Sequence, residues 1–181
     1  MKNKKIMIFF IITILIILGA LGAIYKMGNR TKVVMLETNI GIIKIQLYDD
    51  MPITTGNFES LVKKGFYDKT IFHRVIDGFM IQGGDPKGTG FGGPGYTIKD
   101  EFTDHNKNNR GTISMANAGP NTGGSQFFIN VADNNFLDAK HPAFGKVIEG
   151  IDIADKISKV KTNADNRPLE EVKIIKASLS Q

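Results

Sequence analysis

The pattern of apolar and polar positions from residue 33 to residue 47 predicts a β-hairpin. Val33 to Glu37 is apolar and suited to a strand, and the stretch from Thr38 to Gly41 has the residue types of a turn. From Ile43 onward, apolar and polar side chains alternate. This period of two is typical of a strand with one buried face. We therefore expect two antiparallel strands at the start of the folded domain.

The next segment has the period of a helix. Phe58, Leu61 and Val62 fall at positions i, i+3 and i+4, so they lie on one helical face. Pro52 is a favourable first residue, and Gly65 is a favourable stop. A helix is therefore predicted from Pro52 to just before Gly65.

The remaining apolar segments are short and lie between turns. A second helix is predicted around Ile151 to Ile157, where apolar residues recur at helical spacing. Many short strands with only two helices indicate an antiparallel barrel or sandwich. The predicted strands lie at residues 71–75, 79–82, 112–116, 127–131, 143–148 and 171–177.

The chain begins with a different pattern. An unbroken apolar run extends from Ile6 to Ala23, and its only polar side chain is Thr13. As a helix it would span roughly 27 Å, close to the thickness of a bilayer core. We expect an uncleaved transmembrane anchor. The alternative is a secretory signal cleaved near residues 20–23, where small residues offer a cleavage site.

Charge separates this segment from the rest of the chain. Residues 1–30 contain five of the 23 basic residues and no acidic residue, so residues 31–181 carry 18 of each sign. A nucleic-acid-binding domain usually has a basic face, and this domain is formally neutral. No nucleic-acid partner is therefore expected. Lysines at positions 2, 4 and 5 favour a cytoplasmic N-terminus, with the domain outside the cytoplasm.

Several common chemistries find no support in the sequence. The absence of cysteine excludes disulfides, thiolate metal sites and a cysteine nucleophile. The three histidines have no spacing typical of a zinc site. The glycine-rich segment 83–95 contains G-x-G-x-x-G, but turn and strand residues follow it where a nucleotide site needs a helix. We therefore expect no metal and no cofactor, and we interpret these glycines as residues of tight turns.

Two segments are unusual for a purely structural domain. The first, FHRVIDGFMIQGG at residues 72–84, places Arg74 on a strand among apolar residues, and Met80 and Gln82 on one face of the next strand. The second, SMANAGPNTGGSQFFI at residues 114–129, is rich in amides and small residues that allow a ligand to approach the backbone.

With these motifs the chain resembles the cyclophilin family of peptidyl-prolyl cis/trans isomerases. The resemblance runs from about Val33 to Ser178 and also includes ETNIGIIKIQLY, GTGFGGPGYTIKDEF and FLDAKHPAFGKVIEG. It implies a mainly β fold: a closed eight-stranded antiparallel β-barrel capped by two α-helices, here preceded by an N-terminal hydrophobic helix. Two regions are predicted. Residues 1–30 form a cytoplasmic tip, then a transmembrane anchor or signal segment, and then a tether. Residues 31–181 form the isomerase domain.

The resemblance also implies the site. Arg74 matches the family's catalytic arginine. The positions that match substrate-binding residues are Phe79, Met80, Gln82, Ala116, Asn117, Gln126, Phe128, Phe136, Leu137 and His141. Phe136 departs from the eukaryotic pattern, which has tryptophan there. This change keeps an aromatic wall and removes an indole N–H donor. We therefore expect it to affect the binding of cyclosporin, the family's inhibitor, more than the activity.

The implied activity is the acceleration of rotation about X–Pro bonds in proline-containing polypeptides. From the balanced charge and the apolar core of residues 31–181, we expect a monomer. No covalent bond breaks in this reaction, so it needs neither nucleophile nor metal. A guanidinium that donates to the prolyl nitrogen would stabilise the twisted state in particular. The alternative is a non-catalytic module that binds proline segments as a chaperone or scaffold. Such a module could lack the arginine, so Arg74 favours catalysis.

Overall fold

The computed structural model describes residues 32–180, and these residues form one antiparallel sheet with two α-helices. The strands follow the order β3-β4-β6-β5-β7-β2-β1-β8. The bounds are β1 Val33–Thr38, β2 Ile42–Leu47, α1 Pro52–Lys63, β3 Arg74–Ile76, β4 Met80–Gly83, β5 Thr112–Met115, β6 Phe127–Asn130, β7 Ala143–Glu149, α2 Ile151–Ser158 and β8 Ile174–Ser180.

The hairpin predicted at the start of the domain is confirmed. Strands β1 and β2 pair antiparallel, and buried positions alternate with more accessible ones along both strands. The turn is closed by Thr38, whose hydroxyl donates to the Gly41 carbonyl at 2.6 Å. The same hydroxyl oxygen accepts the backbone N–H groups of Ile40 and Gly41. Local sequence therefore fixes this element.

Both predicted helices are also present. Helix α1 buries Phe58, Leu61 and Val62 against the core, and Gly65 follows its end with a φ of 66°. That value lies in the left-handed region, which glycine adopts with little strain. Helix α2 buries Ala154 and Ile157.

The sheet is an open half-barrel, so the prediction of a closed barrel is wrong. Strands β3 and β8 end the sheet. The segment before β3 meets the start of β8 through an isolated bridge between Ile71 and Lys173 and through backbone hydrogen bonds of residues 69–72 with Val172 and Ile174. Strand β3 has three residues, and the Val75 N–H donates to the carbonyl of the loop residue Asn166 at 2.8 Å. Since this loop occupies the outer edge of β3, strand β8 does not pair along it.

An aromatic cluster joins helix α1 to the sheet. The Phe58 ring lies 5.0–5.4 Å from the rings of Tyr67, Phe127 and Phe144. All four residues are completely buried. Because successive side chains of a strand point to opposite faces, burial of Phe127 in this cluster turns Phe128 to the other face. The core thereby positions one of the predicted site residues.

The predicted anchor lies outside the described residues. The hydrophobic helix at residues 6–23 and the tether after it therefore remain predictions. Among residues 32–180, none of the helices combines the length and the apolar character needed to span a bilayer.

Candidate active site

Arg74 and Gln82 face each other on neighbouring strands. They are register partners in the β3–β4 pair, and the Arg74 Nη1 donates to the Gln82 Oε1 at 3.4 Å. The Arg74 Cζ also lies 6.0 Å from the centre of the Phe79 ring. Arg74 is only half-buried, so part of its guanidinium remains accessible beside an aromatic face. The short β3–β4 hairpin therefore holds the predicted catalytic residue in a defined place.

Gln126 extends this hydrogen-bonded pair toward the glycine-rich segment. Its Oε1 accepts from the Gln82 Nε2 at 3.0 Å. Its own Nε2 donates to the carbonyls of Gly90 and Gly92, at 2.9 Å each. Three predicted site residues, Arg74, Gln82 and Gln126, are thus joined in one chain of hydrogen bonds.

An apolar surface lies beside this chain. Phe128 is the register partner of Gln82 in the β4–β6 pair, so their side chains are neighbours on one face. Met80 lies two positions before Gln82 on the same face, and Met80 and Phe128 are at most 4% exposed. A ring-sized apolar group bound against Phe128 would therefore lie next to the Arg74–Gln82 pair.

A 3₁₀ turn, Asn135–Leu137, carries two further predicted residues, and the sequence did not predict this turn. Phe136 stacks on Phe79 with ring centres 5.9 Å apart and planes 19° apart, yet it remains 71% exposed. Leu137 is half-buried. The Asn134 Nδ2 donates to the Phe79 carbonyl at 2.8 Å, which ties the turn to the loop before β4. The two aromatic residues thus form one rim.

His141 packs against Phe128. The two rings meet edge to face, with centres 5.4 Å apart. The His141 Nδ1 lies 3.1 Å from the Met115 carbonyl oxygen. A carbonyl oxygen only accepts, so the His141 Nδ1 is the donor of this hydrogen bond. This arrangement fixes the ring against the apolar surface.

Ala116 and Asn117 follow β5 and border the site. The Ala116 N–H donates to the Gln126 carbonyl at 3.0 Å. The Asn117 Nδ2 donates to the Lys140 carbonyl at 2.8 Å, so its side chain joins two loops of the protein. The resemblance implied that both residues contact the substrate backbone, and that role stays a prediction.

A cavity of about 540 Å³ adjoins these residues. Gln82 and Gln126 line it, and Phe128 is the strand partner of Gln82. Sequence reasoning did not identify Phe91, which is 97% exposed at this cavity, or Tyr96. Aromatic residues within a glycine-rich stretch were the sequence feature that could have indicated these two cavity residues. The lining includes Gln82, Phe91, Tyr96, Ala116, Asn117 and Gln126.

Two titratable groups near the site have altered pKa values. Burial by itself would raise the pKa of Asp85, but backbone N–H groups, that of Gly92 foremost, lower the pKa to about 2. Burial lowers the pKa of His73, which is 7% exposed. Asp85 is therefore an anion and His73 is neutral near neutral pH. Residues 32–180 contain no group of three His, Asp or Glu side chains arranged to hold a metal ion.

The chain's sequence matches a known family over this whole region. The model of the cyclophilin-type peptidyl-prolyl cis-trans isomerase family matches residues 33–179. This protein therefore belongs to the cyclophilin-type peptidyl-prolyl cis-trans isomerase family.

Curated relatives and solved structures agree with this membership. Peptidyl-prolyl cis-trans isomerase-like 1 of Gibberella zeae is 49% identical over 80% of this chain and 92% of the relative. The Homo sapiens protein of the same name is 48% identical over 80% and 90%. A Cryptosporidium parvum cyclophilin-type isomerase superposes with a TM-score of 0.80 at 36% identity, covering 83% and 98% of the two chains.

A second structure of the Cryptosporidium parvum protein was determined in the presence of the dipeptide Ala-Pro. It has a TM-score of 0.79 and 37% identity, and the match covers 82% of this chain and 99% of that chain.

Proposed function

We propose that this protein accelerates cis/trans rotation about X–Pro bonds in polypeptides and that Arg74 is its catalytic residue. The observation that carries the proposal is the placement of the Arg74 guanidinium, held by Gln82 beside the apolar surface of Met80 and Phe128. The surface can accept a proline ring, and the guanidinium then lies beside the bond that rotates.

The physical reason lies in the electronic structure of the amide. Resonance gives the peptide bond a rotational barrier of about 18–20 kcal/mol. When the bond twists, resonance is lost and the prolyl nitrogen gains a lone pair that accepts a hydrogen bond. Arg74 uses Nη1 on Gln82 and has further N–H groups for this nitrogen. An interaction made mainly in the twisted state lowers the barrier instead of only binding the substrate.

The surrounding residues have supporting roles in this proposal. Phe79 and Phe136 form the aromatic rim, and Leu137 and His141 complete the apolar surface. Gln82, Ala116, Asn117 and Gln126 hold the flanking backbone of the polypeptide while the other side of the bond rotates.

The test compares Arg74→Ala with Arg110→Ala, which removes a half-exposed arginine that pairs with Asp155. We expect Arg74→Ala to lower kcat/KM by at least tenfold, equivalent to about 1.4 kcal/mol, in an isomerisation assay on a proline tetrapeptide. Arg110→Ala should keep normal turnover, and circular dichroism should show that both variants fold. A folded Arg74→Ala protein with unchanged turnover would contradict the mechanism. An unchanged protein without turnover would instead favour the non-catalytic binding module.

We further propose that the protein is held in the cell membrane by residues 6–23, with the domain outside the cytoplasm. The support is the length of the apolar run and the lysines at positions 2, 4 and 5 before it. In that location the enzyme would meet secreted chains while slow X–Pro isomerisation limits their folding.

Protease added to intact cells with permeable walls tests this location. Loss of the domain is expected if it lies outside. Complete protection of a membrane-bound protein would contradict the orientation, and release of a shortened chain into the medium would identify a cleaved signal instead.

A further inference from the structure

Asp85 is a completely buried acid at the start of the glycine-rich segment. Its Oδ2 accepts the backbone N–H groups of Thr89, Gly90 and Gly92, at 2.9, 2.6 and 3.0 Å. Its Oδ1 accepts the N–H of Lys87 at 2.7 Å. One carboxylate thereby binds the backbone of the whole bend from residue 87 to residue 92.

The stretch from Gly90 to Gly92 is bound from two sides. Asp85 accepts the N–H groups of both glycines, and Gln126 donates its Nε2 to the carbonyls of the same two residues. Both of these carbonyls only accept, so they require the amino end of the Gln126 amide. The carbonyl end of that amide then points to Gln82.

The direction of one amide sets the direction of the next. Since Gln126 presents its Oε1, Gln82 must present its Nε2 to it, at 3.0 Å. The Gln82 Oε1 is then left to accept from Arg74. Every hydrogen bond in the series is donated in one direction, from the Arg74 cation toward the Asp85 anion. If Gln126 turned over, Gln82 would have to turn over with it to keep their hydrogen bond. The Gln82 amino group would then face the guanidinium, and Arg74 would lose its acceptor.

We propose that Asp85 is a positioning residue of the isomerase site, which holds Arg74 in place through the Gly90–Gly92 stretch, Gln126 and Gln82. The proposal rests on the function proposed above for Arg74. Asp85 makes no hydrogen bond to Arg74, so this series is the hydrogen-bonded route between the two residues. Loss of Asp85 should therefore reduce kcat more than it changes KM, because Arg74 acts mainly in the twisted state.

Two neighbouring glycines provide a matched test. A Cβ at Gly92 would lie 1.8 Å from the Asp85 Oδ1, so alanine there must displace the carboxylate. A Cβ at Gly93 would have no atom within 4 Å, and neither glycine has a left-handed φ. Gly92→Ala and Gly93→Ala therefore make the same change in composition, and only the first disturbs Asp85.

The first measurement is kcat and KM on a proline tetrapeptide, together with the Tm of each variant. We expect Gly92→Ala to lower kcat by about five- to tenfold, while Gly93→Ala stays close to the unchanged protein. If Gly92→Ala does not fold, Asp85→Asn replaces it, because the amide keeps the shape and removes one acceptor oxygen. Equal kcat for a folded Asp85 variant and the Gly93→Ala control would overturn the proposal.

The second measurement separates positioning from general damage to the loop. Gln82→Leu breaks the same series nearer to Arg74. If Asp85 acts through Gln82, adding Gly92→Ala to Gln82→Leu lowers kcat no further, since one break already disconnects the series. Independent effects would multiply, and that result would overturn the proposal. A normal Arg74→Ala enzyme would instead refute the function proposed for Arg74, so the two failures are distinguishable.

Discussion

At the level of single residues, the amides of this site are largely occupied by the protein itself. Gln82 and Gln126 bind each other, and Asn117 binds the Lys140 carbonyl. These bonds orient the side chains before a substrate arrives, which reduces the entropy lost on binding. The exposed part of Arg74 remains as the charged donor at the apolar surface. Because the amides are bound within the protein and Arg74 remains accessible, we expect Arg74 to contribute most to the rate of isomerisation.

Asp85 should make the stability of the fold depend on acidic pH. Its pKa is about 2 in the folded protein, against 3.8 for an ordinary aspartate. A carboxyl with a lowered pKa stabilises the fold above its unfolded pKa, and this contribution is lost as the pH falls toward the folded value. Ionised Asp85 should therefore add about 2 kcal/mol to the free energy of unfolding.

Urea unfolding of the unchanged protein and of Asp85→Asn, from about pH 5 to about pH 2, measures this contribution. The free energy of unfolding should fall by about 2 kcal/mol more in the unchanged protein. The other carboxyl groups titrate in both proteins and cancel. Parallel pH profiles would show that Asp85 is not the responsible group.

At the level of elements, helix α1 depends on a distant residue for its first turn. Its N-cap, Met51, provides no side-chain hydrogen bond. The Glu101 carboxylate instead accepts the N–H groups of Ile53 and Thr54, at 3.1 and 2.5 Å. A carboxylate at this end also interacts favourably with the helix dipole. The loop that precedes β5 thus helps to hold the helix that carries Phe58 into the core.

Replacing Glu101 by alanine should therefore destabilise the protein. Loss of a helix cap lowers the free energy of unfolding by about 1 kcal/mol. Glu170→Ala removes an exposed glutamate and provides the control. Chemical denaturation of both variants checks the expectation, and it fails if Glu101→Ala is no less stable than Glu170→Ala.

At the level of the whole molecule, residues 31–181 combine a neutral charge balance with a continuous apolar core. The core includes residues from both helices and from the sheet, and the family model spans nearly the same region. These features indicate that the region has what it needs to fold by itself.

We expect residues 31–181, produced without the N-terminal segment, to fold as an active monomer without added metal. Light scattering after size-exclusion chromatography measures the mass, and the isomerase assay with and without a chelator measures the activity. A fragment that is soluble only as an oligomer would contradict the monomer, and activity abolished by the chelator would contradict metal independence.

Features that depend on near neighbours in the chain could be predicted from the sequence. The alternation from Ile43 onward and the spacing of Phe58, Leu61 and Val62 predicted the first hairpin and helix α1, because side-chain period follows directly from backbone geometry. The ordered motifs also identified the family correctly and named Arg74, Gln82 and Gln126, which the structure joins.

Features that depend on residues far apart in the chain became visible only in the folded protein. The Asn166 carbonyl accepts the Val75 N–H at the edge of β3, where the sheet stays open. Glu101 supplies the cap of helix α1. Asp85 and Gln126, which are about forty residues apart in the chain, both bind the backbone of Gly92. No local period encodes such contacts, because they form only when the packed core brings distant loops within hydrogen-bond distance.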